Sequence, residues 1–154
     1  MRLRNLATRL LAALLPRQAT AYRGLRGLGQ RWEAVAERRL IAAGYTIRER
    51  NFRARSGEID LVAEENGVVC FVEVKGRRGP RFGAPAEAVT REKRRRIARA
   101  AEFYLLRRHL SGRSCRFDVV SIVESPEGAR VEIFRNAFDA PLPMRRGDDS
   151  DHAC

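Results

Sequence analysis

The dipeptide Asn66-Gly67 constrains this chain more than any other feature. It lies between two β-rich runs, Ser56–Glu65 and Val68–Lys75. A type I′ hairpin turn needs positive φ at both central residues, and Asn-Gly is the pair that tolerates it best. With these two as the turn, cross-strand partners carry numbers that sum to 133. The predicted register sets Asp60 opposite Glu73 and Glu58 opposite Lys75. One face then carries Ile59, Leu61, Ala63, Val68, Cys70, Val72 and Val74 and is core by alternation. The other carries the acids, but Val62, Val69 and Phe71 share it, so it is not a plainly solvated face.

Two carboxylates directly across a ladder have Cβ atoms about 5 Å apart and repel. Either a divalent cation holds Asp60 and Glu73 together, or the hairpin is a solvated edge with a Glu58–Lys75 pair. Magnesium suits the first reading, since it commonly takes one or two carboxylates and keeps waters in its remaining positions. The chain's basic residues bear on the choice. Of 31 lysines and arginines only Lys75 and Lys93 are lysine. Lysine is a compact ammonium whose pKa can move, so Lys75, two residues after Glu73, is a candidate for positioning or activating water. Chance retention is the alternative.

Asp60 followed by Glu73-Val74-Lys75 resembles the D…(D/E)xK signature of the restriction-endonuclease-like nuclease superfamily. More closely, GEIDLV followed by FVEVKGR resembles the YraN family of small bacterial proteins, which are similar to archaeal Holliday-junction resolvases. The resemblance runs from about Gln30 to Phe138 through WEAVAERRLIAAGY, the hairpin, FGAPAEAVTREK, RFDVV and NAF. It implies an α/β fold, a restriction-endonuclease-like mixed central sheet flanked by helices. It also implies a metal-dependent endonuclease acting on structured or branched DNA, with Mg²⁺ or Mn²⁺ as cofactor. Asp60, Glu73 and the Val74 carbonyl would hold the metal and Glu33 a second ion or a metal-bound water, while Lys75 would orient the attacking water or stabilise charge building on the phosphate. Without the resemblance, Glu33 reads as a surface acid near a helix N-terminus, where negative charge is favoured; Glu37 is its substitute one turn later.

The 154 residues and net charge of +12 suit one domain with an anionic partner, nucleic acid or an acidic membrane surface. Residues 29–140 read as the nuclease-like domain and 141–154 as a polar flexible tail. Residues 1–28 hold six arginines and no acid, with Leu3, Leu6, Leu10 and Leu14 at helical spacing. This extension reads as poorly ordered, as a membrane-surface or nucleic-acid arm, or as a signal peptide ending near Ala19-Thr20-Ala21. No stretch is long enough to span a bilayer. Cysteines 70, 115 and 154, without a CxxC, fit reduced thiols and a cytoplasmic location.

Helices are predicted over Gln30–Ala43 and Ala86–Leu110, and further strands over Tyr45–Phe52, Arg116–Val123 and Ala129–Arg135. Gly76–Gly83 reads as a glycine- and arginine-rich loop over the acidic site. Arginine forks suit phosphate, so Arg77, Arg78 and Arg81, with Lys93, Arg94 and Arg95 on the second helix, are candidate nucleic-acid contacts. Lys93 shares an apolar stripe with Val89, Ile97, Ala100, Tyr104 and Leu105. It either snorkels outward or reaches the carboxylates or a phosphate. Asp118 is expected to pair with arginine or order a loop, and His109 to be structural. A non-catalytic nucleic-acid-binding protein and a peripheral membrane protein are the rival classes. Paired cuts would suit a homodimer, but no segment marks an interface.

Overall fold

Both turn residues take the backbone that a type I′ hairpin demands: φ is +50° at Asn66 and +79° at Gly67. In the computed structural model, which describes residues 25–79 and 89–139, the hairpin is the middle of a five-stranded sheet. Its strands are β1 (Thr46–Ala54), β2 (Gly57–Glu65), β3 (Val68–Arg78), β4 (Cys115–Ser125) and β5 (Gly128–Phe134), in that spatial order. Only β3 and β4 are parallel. The crossover between them carries helix α2 (Arg91–Arg107), and helix α1 (Leu25–Ala42) precedes the sheet. This mixed sheet with helices on both faces is restriction-endonuclease-like.

Both faces are core because each receives a helix. On the α1 face, Ala36 and Leu40 pack with Tyr45, Leu61, Ala63, Cys70, Val72, Val120 and Ile122. On the α2 face, Ile97, Ala101 and Tyr104 meet Val62, Val69, Phe71, Phe117 and Val119. Phe71 is central there, with ring centroids 5.8 Å from Tyr104 and 5.7 Å from Phe117. Burying a phenylalanine this fully stabilises by about 1.5–3 kcal/mol. Phe138 stacks on Phe117 at 5.3 Å, and Ala137 N–H donates to the Phe117 carbonyl at 2.8 Å. The Asn136-Ala137-Phe138 segment thus closes the fold.

Several boundaries differ from the predicted ones. Helix α1 begins at Leu25, five residues before the predicted Gln30. Helix α2 begins at Arg91, where the Thr90 hydroxyl accepts from Lys93 N–H at 3.3 Å, a local N-cap that the wheel could not register. Strand β3 runs on through Gly76, Arg77 and Arg78 because β4 extends beside it, pairing Gly76 with Ile122 and Arg78 with Glu124. The predicted loop therefore starts as strand. Ile59 packs in the α2-side core and Leu61 in the α1-side core, so the single face predicted for the two is divided. Cys70 is buried in the α1-side core, where burial pushes its thiol up to about 12. Arg81, the whole Leu3–Leu14 stretch and the 141–154 tail lie outside the described residues.

Candidate functional site

The predicted register holds from Glu65↔Val68 to Leu61↔Val72 and then the two hairpin strands stop pairing. Beyond that point β2 continues on β1, with Ile59 opposite Phe52 and Glu58 opposite Arg53. Meanwhile β3 continues on β4, with Glu73 opposite Val119. The strands part at Asp60 and Glu73, and the site lies in that fork. Asp60 replaces the missing rung with its side chain: Oδ2 accepts from Val74 N–H at 2.7 Å. Val74 thus meets the acids through its N–H; the sequence expectation concerned its carbonyl.

Glu73 is 4% exposed, and both lysines of the chain converge on one of its oxygens. Lys75 Nζ lies 2.9 Å and Lys93 Nζ 3.2 Å from Oε1. The second oxygen, Oε2, is buried and has no hydrogen-bond partner among the described residues. Lys93 therefore does not snorkel. Lys75 does not pair with Glu58, which instead sits 3.9 Å from Arg53. The parting of the strands carries Glu58 away from it.

The Asp60 carboxyl is pushed up to about 7. Burial is the main cause and the Glu73 charge the next; the Val74 N–H and Lys93 oppose them, and the Glu33 charge adds to the rise. Glu33 is thus electrostatically part of the cluster. Its placement follows from its neighbour. Trp32 lies so close to Gly76 that a Cβ there would come within 1.8 Å of the indole. That contact docks α1 across the end of β3 and brings Glu33 toward the fork. Glu37, the substitute, is instead held by Arg50, whose Nε donates to its Oε2 at 2.8 Å.

Among the described residues no group of three or more His, Cys, Asp or Glu side chains could cage a metal ion. A hydrated Mg²⁺ requires less, since one or two carboxylates suffice. Asp60 and the unpartnered oxygen of Glu73 offer such a donor pair. Their repulsion and the unsatisfied Oε2 are both features that a cation would relieve.

The candidate phosphate ligands are dispersed. Arg78 lies 3.4 Å from Glu124, which also pairs with Arg31 at 3.1 Å. Arg94 donates to the Val89 carbonyl at 2.9 Å and covers the Phe138 ring at 5.2 Å, so much of it is structural. Arg77 is half-buried in β3, and Arg95 is exposed on α2. Asp118 is fully buried and far from solvent chemistry: it accepts from Tyr45 Oη at 3.0 Å, Arg116 Nε at 3.0 Å and Asn136 N–H at 2.8 Å. Arg116 and Arg135 also clamp Glu65, holding its carboxyl down at about 2. His109 has φ of +55° at the exit of α2, a turn role. Sequence reading missed Trp32 and Gly76 as the pair that positions Glu33. Each looked ordinary alone, one as a core aromatic and the other as a loop glycine.

Residues 32–122, which include Glu33, Asp60, Glu73, Lys75 and Lys93, match the model of uncharacterised protein family UPF0102. The chain belongs to that family. This UPF0102 chain is 51% identical over 116 residues to the UPF0102 protein of Symbiobacterium thermophilum, covering 75% of the chain and 98% of the relative. It is 44% identical over 117 residues to that of Myxococcus xanthus, covering 76% and 93%. With that of Syntrophus aciditrophicus it shares 42% over 111 residues, covering 72% and 87%. The YraN resemblance anticipated this family. Among the described residues of the UPF0102 chain, no helix is long and apolar enough to cross a membrane.

Proposed function

We propose that this UPF0102 protein is a metal-dependent endonuclease that hydrolyses phosphodiester bonds in structured or branched DNA. The observation that carries the reading is Glu73: a buried carboxylate with one oxygen held by both lysines and the other unpartnered, beside an Asp60 whose proton is held to near neutrality. A core with no chemistry to perform gains nothing from that arrangement, because each buried acid costs desolvation free energy.

Asp60 and Glu73 Oε2, with the Val74 carbonyl, are the groups that would hold Mg²⁺ or Mn²⁺. The bound cation would supply Lewis-acid stabilisation of charge on the phosphate and a lowered pKa for water. The protein's own groups do the rest. Lys75 donates toward water or toward a phosphate oxygen, and its ammonium is anchored by Glu73 Oε1 at 2.9 Å. Lys93 neutralises the same carboxylate from α2 and so ties helix to strand. Glu33 presents an acceptor at the mouth of the fork, suited to orienting water. The basic surface binds backbone without reading bases, which favours selection by shape.

The test is cleavage of a labelled panel of four-way junction, flap, single strand, duplex and structured RNA, at low salt with Mg²⁺ or Mn²⁺. Cutting by the wild type and its loss in Glu73→Ala, with DNA binding largely kept, is the expected result. Equal cutting by Glu73→Ala sinks the assignment. Salt-sensitive binding without cutting across the panel would favour the second reading, a nucleic-acid-binding protein on a nuclease scaffold. The net charge of +12 supports that reading independently of the acids.

A further inference from the structure

A cleft of about 440 Å³ opens beside the fork, between the turn joining β1 to β2 and the first turns of α2. Arg53, Arg55, Lys93 and Arg96 line it, with Glu58 as its one acid, so its walls carry four positive charges against one negative. Its volume lies in the range of small-ligand sites, roughly 300–1,000 Å³. We propose that this cleft is a subsite for a backbone phosphate of the nucleic acid, flanking the bond held at Glu73.

The cleft has a built wall. Gly57 approaches α2 so closely that a Cβ there would lie 3.1 Å from the Arg96 carbonyl oxygen. The backbone of the β1–β2 turn is thereby held against the helix, and the arginines around it share a fixed base. Their existing partners are weak. Arg53 meets Glu58 at 3.9 Å and Arg96 meets Glu92 at 3.6 Å, both pairs largely exposed. Arg55 has no ion pair among the described residues. Such exposed pairs contribute about 0–1 kcal/mol and exchange readily for a phosphate. The far end of the sheet is different. There Arg116 and Arg135 are committed to Glu65, and Arg116 also to buried Asp118.

Lys93 connects the cleft to the fork. It lines the cleft and its Nζ lies 3.2 Å from Glu73 Oε1. A strand with one phosphate at Glu73 would pass Lys93 and enter the cleft within its next units. The path runs over the β1–β2 turn and the first turns of α2; of the nucleic-acid contacts expected from sequence, Lys93 lies on it. Nothing in the cleft is shaped to read a base; guanidinium and ammonium groups select the phosphodiester. The proposal rests on the nucleic-acid part of the functional reading and not on hydrolysis.

The test is binding of the full chain to a fluorescent single-stranded oligonucleotide, with 5′-hydroxyl or 5′-phosphate ends, in EDTA across a salt series. Wild type, Arg55→Gln/Arg96→Gln, Arg55→Lys/Arg96→Lys and Arg107→Gln at the other end of α2 are compared. Loss of two phosphate contacts should weaken binding at least about tenfold at low salt and reduce the salt slope by about 1.4. The lysine pair should restore most of the affinity, and Arg107→Gln should match the wild type. Melting midpoints within about 2 °C of wild type for all variants would exclude misfolding, as expected for exposed side chains. Unchanged affinity and slope in the glutamine pair overturns the subsite, as does a wild type that binds no oligonucleotide. Binding that depends wholly on a 5′-phosphate overturns it too, because the cleft would then hold a terminal monophosphate. Binding as expected with no cleavage in the panel leaves the subsite standing and removes only hydrolysis.

Discussion

Trp32 of α1 packs against Gly76 of β3, at a separation where a single added methyl would sit 1.8 Å from the indole ring. This contact sets how α1 crosses the sheet, and through the next residue it sets where Glu33 stands. Gly76→Ala should therefore displace the helix. Overpacking usually costs about 1–3 kcal/mol, and here the obstacle is a large ring beside backbone, so the upper end is expected. Urea denaturation measures the loss. Retreat of Glu33 should also lower the Asp60 pKa, which carbon-13 NMR of the carboxyl would follow; an Asp60 that titrates as in the wild type would uncouple the two.

Lys75 and Lys93 share one oxygen of a carboxylate that is 4% exposed. Removing either alone leaves a partner, whereas removing both leaves a buried charge uncompensated. Lys75→Met/Lys93→Met should cost about 3–5 kcal/mol, more than the two single changes added together. Adding Glu73→Gln to the double variant should recover most of that loss, because the charge needing a partner has gone. Chemical denaturation of the five proteins provides the cycle. Simple additivity, or no recovery, would mean that the lysines act on something other than Glu73.

Asp60 makes stability depend on pH in an unusual direction. Its folded carboxyl titrates at about 7 against an ordinary value of 3.8, so the native state holds the proton more tightly than the unfolded chain. Between those values folding takes up a proton, and stability falls as pH rises. It is highest below about pH 4 for this group and levels off above about 7. Asp60→Asn keeps an oxygen for the Val74 N–H and removes the charge. Relative to that variant, the wild type should lose on the order of 2 kcal/mol between pH 5 and 8, a discounted value because the carboxyl keeps some solvent contact. Added Mg²⁺ should raise the wild-type melting midpoint more at pH 8 than at pH 6, since the ligand must be deprotonated. It should leave Asp60→Asn nearly unmoved. A wild type that becomes more stable relative to Asp60→Asn over the same range would contradict the site.

How far the site was legible varies residue by residue. The pairing sum of 133 was readable because a two-residue turn dictates its flanking register, and it holds through Leu61 and Val72. One rung further the same rule gave Asp60 opposite Glu73, and there the strands part. The acids are still neighbours, but through an Asp60–Val74 hydrogen bond and not as a ladder pair. Lys93 was flagged by its type on an apolar stripe, yet its destination was open. Glu33 and Glu37 lie four apart on one helix face, and periodicity treats them alike. Arg50 holds Glu37, whereas Glu33, next to the Trp32–Gly76 contact, adds its charge at Asp60.

Sequence alone therefore determined the hairpin, one core face running through Leu61, Ala63, Cys70 and Val72, the amphipathic second helix and the exceptional status of two lysines. Each is written in turn chemistry, side-chain period or residue type, all of which act within a few positions along the chain. Tertiary structure decided the parting of β2 from β3, the convergence of Lys75 and Lys93 on one oxygen, the different surroundings of Glu33 and Glu37 and the basic cleft beside Gly57. These depend on how closely separate elements approach. That distance is set by packing at Trp32–Gly76 and Gly57–Arg96, between positions far apart in sequence, where no local preference operates.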